Sequence, residues 1–424
     1  MLFIYLLVNG QYISSLLFAI GILGIFLIEG TTVLAGFIQN DPFNRTASYA
    51  LTTVPLYILM AQFIMKAGIV KDLYSLMYKL SKGRPGVLGV MTILLGGLLG
   101  GVSGSGTATS AALGQIAVPE LQKRGYSDRL AGAIAASAGS LSAIIPPSVF
   151  LILYGVVAQI SIGQLFTAAL IPGILLMISF SLVAMFYLRK MKEDVVEVGD
   201  SDLDNVPVSR YVVVVLLGTL IVISIFGGIY MGVFTPTEAG AVGAFIALVM
   251  AALLRKVNID FIKTSLIETT KVSVMAMFIV MGASLFGRFI SLSLMPRKII
   301  ALLDPILGMP LLVLIIIMLF YFFLFMFIEG AAVILMTVPV MTPILAQIDV
   351  DLLWFGIMLT VLSTIGMITP PVGISVYAVG GVTRIPIERL FRTTLLFALF
   401  ATVVVMGLLI IFPELVTWLP SKMR

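Results

Sequence analysis

Apolar runs long enough to cross a bilayer recur along almost the whole chain, separated by short polar or basic stretches. Runs at 12–38, 50–66, 131–160, 164–188, 211–231, 232–254, 272–292, 352–383 and 393–412 each predict a membrane helix, because about 20 apolar residues span the hydrocarbon core. Residues 1–8 are apolar but too short to span alone; together with 9–12 they predict a short first crossing. Two further runs, 87–121 and 306–347, are too long for one helix and are broken by Gly, Ser, Pro or an acid, so each predicts a re-entrant hairpin. In residues 66–84, Ile69, Leu73, Leu76, Met77 and Leu80 recur at helical spacing among Lys71, Lys79 and Lys82. That pattern predicts an amphipathic helix lying at the interface.

Composition fits a polytopic membrane protein. The chain has 424 residues, 60% of them hydrophobic and 11% charged, against about 25% charged in soluble domains. Backbone in lipid must satisfy its own hydrogen bonds, so the expected fold is all-α. The 39 glycines point to close helix packing or irregular backbone within protein. There is no cysteine and no histidine. This removes disulfides, thiolate and imidazole metal sites, and histidine acid–base chemistry. The net charge of +5 reflects loops and does not point to nucleic acid. Residues 1–8 lack the basic flank of a cleavable signal.

The polar stretch 189–210 divides the chain into near-equal halves, and a constant shift of 224 positions aligns them. Pro119 falls on Pro343, Pro146 and Pro147 on Pro370 and Pro371, and Ser105-Gly106 on Glu329-Gly330. The expected organisation is therefore two repeats. The first, 1–188, holds scaffold helices 1–66, an interfacial arm 66–84, hairpin one 87–121 and a broken helix 131–160. Residues 189–210 form a cytoplasmic linker. The second repeat, 211–424, holds scaffold 211–292, hairpin two 306–347, a broken helix 352–383 and a last helix 393–412. This gives about 10–11 transmembrane helices plus two re-entrant hairpins. With both flanks of hairpin one in the cytoplasm, only Arg45, Arg297, Lys298, Lys422 and Arg424 lie outside, Arg288 lies within a span, and every other Lys and Arg is inside. Hairpin two then enters from outside, so the repeats are inverted, the pattern of secondary transporters.

The broken elements carry the candidate chemistry. Hairpin one reads "GGLLGGVSGSGTATSAALGQ". Its glycines permit a tight reversal, and its hydroxyls and free carbonyls offer oxygen to a hard cation while a half-helix N-terminus faces an anion. A small-residue packing face is the alternative. Hairpin two contains Glu329 within "FMFIEGAAVILMTVPVMTP". An acid at that depth points to function or to an ion pair, with Arg288 the candidate partner. Glu238 follows Thr235 as in a capping box and reads as structural. In "SLSAIIPPSV" and "STIGMITPPVGI" two prolines interrupt the helix, leaving carbonyls open beside Ser142, Ser148, Thr364 and Thr369. Such backbone belongs beside a lined cavity; a packing kink is the alternative.

The segments "GVSGSGTATSAALGQIAVPELQKRGYS", "IIPPSVFLILYGVVAQISIGQLFTAALIPG", "GVFTPTEAGAVGAF", "TVPVMTPI" and "ITPPVGISVYAVGG", in order along the chain, resemble the large membrane subunit of tripartite ATP-independent periplasmic (TRAP) transporters. The resemblance implies an elevator-type ion-transporter-like fold in the bacterial inner membrane and Na⁺ as coupling ion, with no other cofactor. It also implies three partners: a small four-helix membrane subunit, a periplasmic substrate-binding protein, and an organic-acid substrate such as sialic acid or a C4-dicarboxylate. Carried over by position, one Na⁺ site takes Ser103, Gly104, Ser105, Ser142, Ile145 and Pro146. A second takes Glu329, Gly330, Gly366, Thr369 and Pro370. Ser105, Thr107, Thr109, Glu329 and Thr369 are the implied substrate-facing residues. Relatives carry Asp near the second tip where this chain has Glu329, whose carboxylate either binds the cation or orients the loop.

Rival functions are a stand-alone H⁺- or Na⁺-coupled carrier, an intramembrane enzyme and a channel. Gly101-Val102-Ser103-Gly104 matches the G-x-S-G of rhomboid-like proteases, but the base such chemistry needs is missing. No filter sequence or ring of charge suggests a channel.

Overall fold

Prolines, glycines and polar caps set where the helices begin and end. The computed structural model describes residues 11, 13–81, 84–103, 105–190 and 207–423. The short first crossing at 1–12, most of the linker and Gly104 fall largely or wholly outside the described residues. Among the described residues there is no strand.

The first half runs through α1 (Ile13–Thr46), α2 (Thr53–Lys66), α3 (Ile69–Leu80), α4 (Pro85–Ser103), α5 (Gly106–Lys123), α6 (Asp128–Ser140) and α7 (Val149–Ala158). It closes with α8 (Ile162–Arg189). The second half holds α9 (Val208–Tyr230), α10 (Pro236–Leu253) and α11 (Ile259–Leu292). Next come α12 (Met295–Leu307), α13 (Pro310–Phe327), α14 (Gly330–Gln347), α15 (Leu352–Gly366) and α16 (Ile374–Thr383), and the half ends in α17 (Ile387–Ile411). The helices α7, α15 and α16 are too short to cross alone, which is what a broken helix requires. The shift of 224 positions carries Gly106–Lys123 onto Gly330–Gln347, residue for residue at both ends.

Two packing groups result. In the scaffold α1 lies along α11, and α2 lies along α10 and α11. Gly21 makes the α1–α11 approach possible, since a Cβ there would sit 2.8 Å from the Phe286 backbone nitrogen. The second group joins hairpin one (α4, α5) to α6 and α16, and hairpin two (α13, α14) to α15 and α7. The seam between the groups is formed chiefly by α11 on α14 and by α2 on α4 and α7.

Several expectations need correction. The arm helix is α3 alone; of its expected apolar stripe Ile69 is buried, Leu73, Leu76 and Met77 are half-buried and Leu80 is exposed, while Val70, Tyr74 and Tyr78 are buried together with Asp72 and Ser75. Polar pairing explains this: Arg210 Nε donates to Asp72 Oδ2 at 2.7 Å, and the Ser75 and Tyr211 hydroxyls lie 2.7 Å apart. The helix is thus clamped to α9. The span expected at 272–292 is the second part of a 34-residue helix that starts at an Asn258 cap. The helix expected at 12–38 continues to Thr46 and is interrupted at Gly30, whose φ of 77° few residues other than glycine adopt. The last helix begins at Ile387, ahead of the expected 393. The capping box at Thr235 and Glu238 is present, with Thr235 N–H donating to Glu238 Oε2 at 2.8 Å.

Candidate functional site

Both Pro-Pro pairs fall where regular helix stops, and both bonds are cis. In an unbroken helix the nitrogens of Pro146 and Pro147 would bond the carbonyls of Ser142 and Ala143; proline offers no N–H. Ala143 O instead accepts the Ser148 hydroxyl at 2.6 Å. The hydroxyl of Ser142 is fully buried and has no hydrogen-bond partner. In the second break the carbonyls are re-used: Gly366 O accepts Thr369 N–H at 3.1 Å, and Met367 O accepts Ser375 N–H at 3.0 Å. Val372 N–H reaches across to Met326 O of hairpin two at 3.3 Å.

The hairpin tips pack on these breaks through missing side chains. A Cβ on Gly100 would fall 2.5 Å from Ser142 Cα, and one on Gly366 would fall 2.7 Å from Phe325 O. Ser142 and Gly366 are equivalent under the repeat, so one half places the small residue on the hairpin and the other places it on the break. The tips also cross over. Gly106 of tip one packs on Met367 of the second break, and Gly330 of tip two packs on Phe150, just past the first.

The tips share one capping chemistry. Ser105 Oγ accepts from Ala108 N–H at 3.4 Å at the start of α5. Glu329 Oε2 accepts from Ala332 N–H at 3.3 Å at the start of α14. Each thereby satisfies one otherwise open helix N–H.

A cavity of about 310 Å³ lies between the tips, the breaks and the scaffold. Its polar lining is Ser105, Thr107, Glu329, Ser363 and Gln62. Two half-helix N-termini, at Gly106 and Gly330, border it. On the scaffold side it reaches Met65 and Val272, next to Lys66 and Lys271 at the basic side of α2 and α11. By the distribution of basic residues that is the side expected to face the cytoplasm.

The expected site residues divide into groups. Ser105, Thr107, Glu329 and Gly330 line the cavity together. Ser142 lies just behind them, its Oγ 3.2 Å from where a Gly106 Cβ would be. Thr109 and Thr369, expected to face substrate, do not line the cavity. Both are buried, and their hydroxyls donate to Ser105 O at 2.9 Å and Ile365 O at 2.7 Å. Ser148 and Thr364 are likewise occupied by local bonds, the latter to Thr360 O at 2.9 Å. The Ile145 side chain points to Gly173 of α8. Gly366, Pro146 and Pro370 shape the breaks without lining the cavity. Gly104 and the Ser103 side chain lie outside the described residues. Arg288 is not the partner of Glu329; its Nε donates to Asp41 Oδ2 at 2.7 Å on the far side of α11 from the basic end.

Sequence reasoning missed Gln62 and Ser363 as lining residues. Gln62 left a signal, as the one polar side chain in the apolar run "LYILMAQFIM" after Tyr57 is set aside.

Comparison with known proteins gives consistent results. Residues 1–415 match the family described as Tripartite ATP-independent periplasmic transporter, DctM component. The chain is 30% identical to the sialic acid TRAP transporter large permease protein SiaM of Vibrio cholerae, over 93% of this chain and 92% of that one. It is 29% identical to the C4-dicarboxylate TRAP transporter large permease protein DctM of Pseudomonas aeruginosa, over 89% and 86%. It is also 29% identical to the 2,3-diketo-L-gulonate TRAP transporter large permease protein YiaN of Escherichia coli, over 89% and 88%. Among solved structures, the Alcanivorax borkumensis YdaH transporter shares the fold, with a TM-score of 0.70 at 14% identity over 99% of this chain and 97% of that one.

Proposed function

This chain belongs to the family of tripartite ATP-independent periplasmic transporters, DctM component, and on that premise we propose that it moves an organic acid inward, driven by Na⁺, in the bacterial inner membrane. It is a multi-pass membrane transport subunit, not an enzyme. Large permeases of this family work with a small membrane subunit and a periplasmic binding protein. The proposed partners here are a four-helix subunit and a binding protein that selects the acid. The names of similar proteins include sialic acid, C4-dicarboxylate and 2,3-diketo-L-gulonate, at nearly equal identity. These three are carboxylates, and isethionate in the name of another relative is a sulfonate, so the chemistry common to all four is an organic anion.

One observation carries the reading: two capped half-helix N-termini, from opposite halves of the chain, border one cavity at a seam between packing groups. Helix N-termini favour an anion. Glu329, also in the cavity, repels one unless a cation lies between them, which is the physical basis for co-transport. The buried Ser142 hydroxyl, without a partner, is the best-suited oxygen for that cation. The proposed transport group is hairpins one and two with α6, α7, α15 and α16, sliding as an elevator along α2 and α11. The cavity's position near Met65 and Val272 supports an inward-facing arrangement. Alternating access then needs the tips to move toward the outer ends of α2 and α11.

The test is uptake into proteoliposomes holding the chain and its small subunit, with an inward Na⁺ gradient, against a panel of labelled carboxylates. Uptake should require both Na⁺ and the binding protein. Transport indifferent to the binding protein contradicts the three-part reading.

A further inference from the structure

A second cavity, of about 210 Å³, lies in the same seam beyond the central one. The two share their walls in order. Along α11 the central cavity meets Val272, Met275, Ala276 and Ile279, and the second meets Val280, Ser284, Arg288 and Ser291. Along α7 the second takes over at Val156, and along α14 at Pro339. At 1.5 Å per residue, Arg288 stands about 14 Å beyond Ile279 toward the outer end of α11.

The chemistry of the two cavities differs. Among the described residues Glu329 is the only ionisable one lining the central cavity, and the scaffold wall has none. The outer cavity is lined by two guanidinium groups, Arg45 from the end of α1 and Arg288, and by the hydroxyls of Ser284 and Ser291. Asp41 pairs with Arg288 at 2.7 Å and neutralises one of the two. Among the described residues Arg45 is in no ion pair. Ser284 Oγ is buried and without a partner. Ser284, Arg288 and Ser291 recur at intervals of four and three, so they share one face of α11. A planar guanidinium beside free hydroxyls is suited to a carboxylate.

We propose that this outer cavity is a receiving site for the carboxylate of the transported acid, built on the fixed scaffold through Arg45, Arg288, Ser284 and Ser291. The proposal rests on the transport reading above and adds a direction to it. At the outer level the scaffold attracts the anion. At the inner level its cavity lining is Gln62 and apolar residues, with no cation in the wall itself, and the adjacent Lys271 is paired with Glu268.

The absence of cysteine makes the test clean. A Ser291→Cys variant, and separately Val157→Cys in the same cavity, is treated from outside with two methanethiosulfonates, one ending in sulfonate and one in trimethylammonium. After correction for their intrinsic reactivities, the anionic reagent should react roughly 10-fold faster than the cationic one. Adding Arg45→Gln should collapse that ratio, Arg45→Lys should keep it, and succinate should slow the anionic reagent in the parent variant. Equal rates at both positions, or a ratio indifferent to Arg45→Gln, overturns the proposal. Absence of Na⁺-driven uptake by the unsubstituted chain, with the ratio intact in the variants, would instead contradict the transport reading alone.

Discussion

Ser105 and Glu329 hold the same position in the two hairpins. Each caps the second arm of its hairpin and lines the same central cavity. The two ways of using Glu329, as a cap or as a charge beside a cation, can be separated. Glu329→Gln keeps an oxygen for Ala332 N–H, whereas Glu329→Ala removes the cap at a cost of about 1 kcal/mol. We expect Glu329→Gln to melt like the parent but to need several-fold more Na⁺ for half-maximal uptake. Glu329→Ala should show both defects. A Glu329→Gln variant with the parental Na⁺ curve would leave the residue with capping alone.

Ser142 supplies the clearest unused oxygen, buried beneath tip one and without a partner. Ser142→Ala removes it at almost constant volume and breaks no hydrogen bond. The expected outcome is an unchanged melting temperature with Na⁺ half-saturation raised several-fold. Thr369→Ala, by contrast, removes a hydroxyl bonded to Ile365 O and should shift Na⁺ dependence less.

At Gly366 an alanine methyl would meet the backbone oxygen of Phe325 at 2.7 Å. Neither atom is the tip of a flexible chain, so hairpin two must move off the second break. Overpacking of this kind costs about 1–3 kcal/mol. Gly366→Ala should lower the melting temperature and slow uptake. Gly308→Ala, where an added Cβ meets nothing within 4 Å, is the control and should do neither.

Asp72 is buried and faces Arg210, which is partly exposed. Arg210→Ala leaves a buried carboxylate without its partner, a loss on the order of 3 kcal/mol. Detergent melting should drop clearly, while Arg210→Ala combined with Asp72→Asn should recover part of the loss.

Much of this architecture is legible in the sequence because its signals are local. Paired prolines stop a helix wherever they fall, and Ser105-Gly106 and Glu329-Gly330 announce two helix starts. The repeat shift then sets hairpin beside hairpin without any long-range information. The misreadings come from partners that sequence cannot supply. The arm helix has an apolar stripe, yet Arg210 and Tyr211, more than a hundred residues away, bury Asp72 and Ser75 as well. All that links Arg288 and Glu329 in the sequence is that each is an ionisable residue in an apolar run; in the structure Asp41 pairs with the arginine. Thr109 and Thr369 looked available because local hydroxyl-to-carbonyl bonds within a helix leave no mark in composition. Ser363 faces the cavity through the rotation of α15, which no short-range pattern fixes.

The central claim is that the tips move past the scaffold with the substrate between them. Met275 on α11 of the scaffold and Ala331 at tip two both line the central cavity. In this cysteine-free chain the pair Met275→Cys and Ala331→Cys can be bridged by a short bifunctional thiol reagent with a reducible centre. The measurement is Na⁺-driven uptake before bridging, after bridging and after reduction. The account predicts that bridging abolishes uptake and that reduction restores it. Uptake by the bridged protein at the rate of the unbridged one would contradict a moving tip.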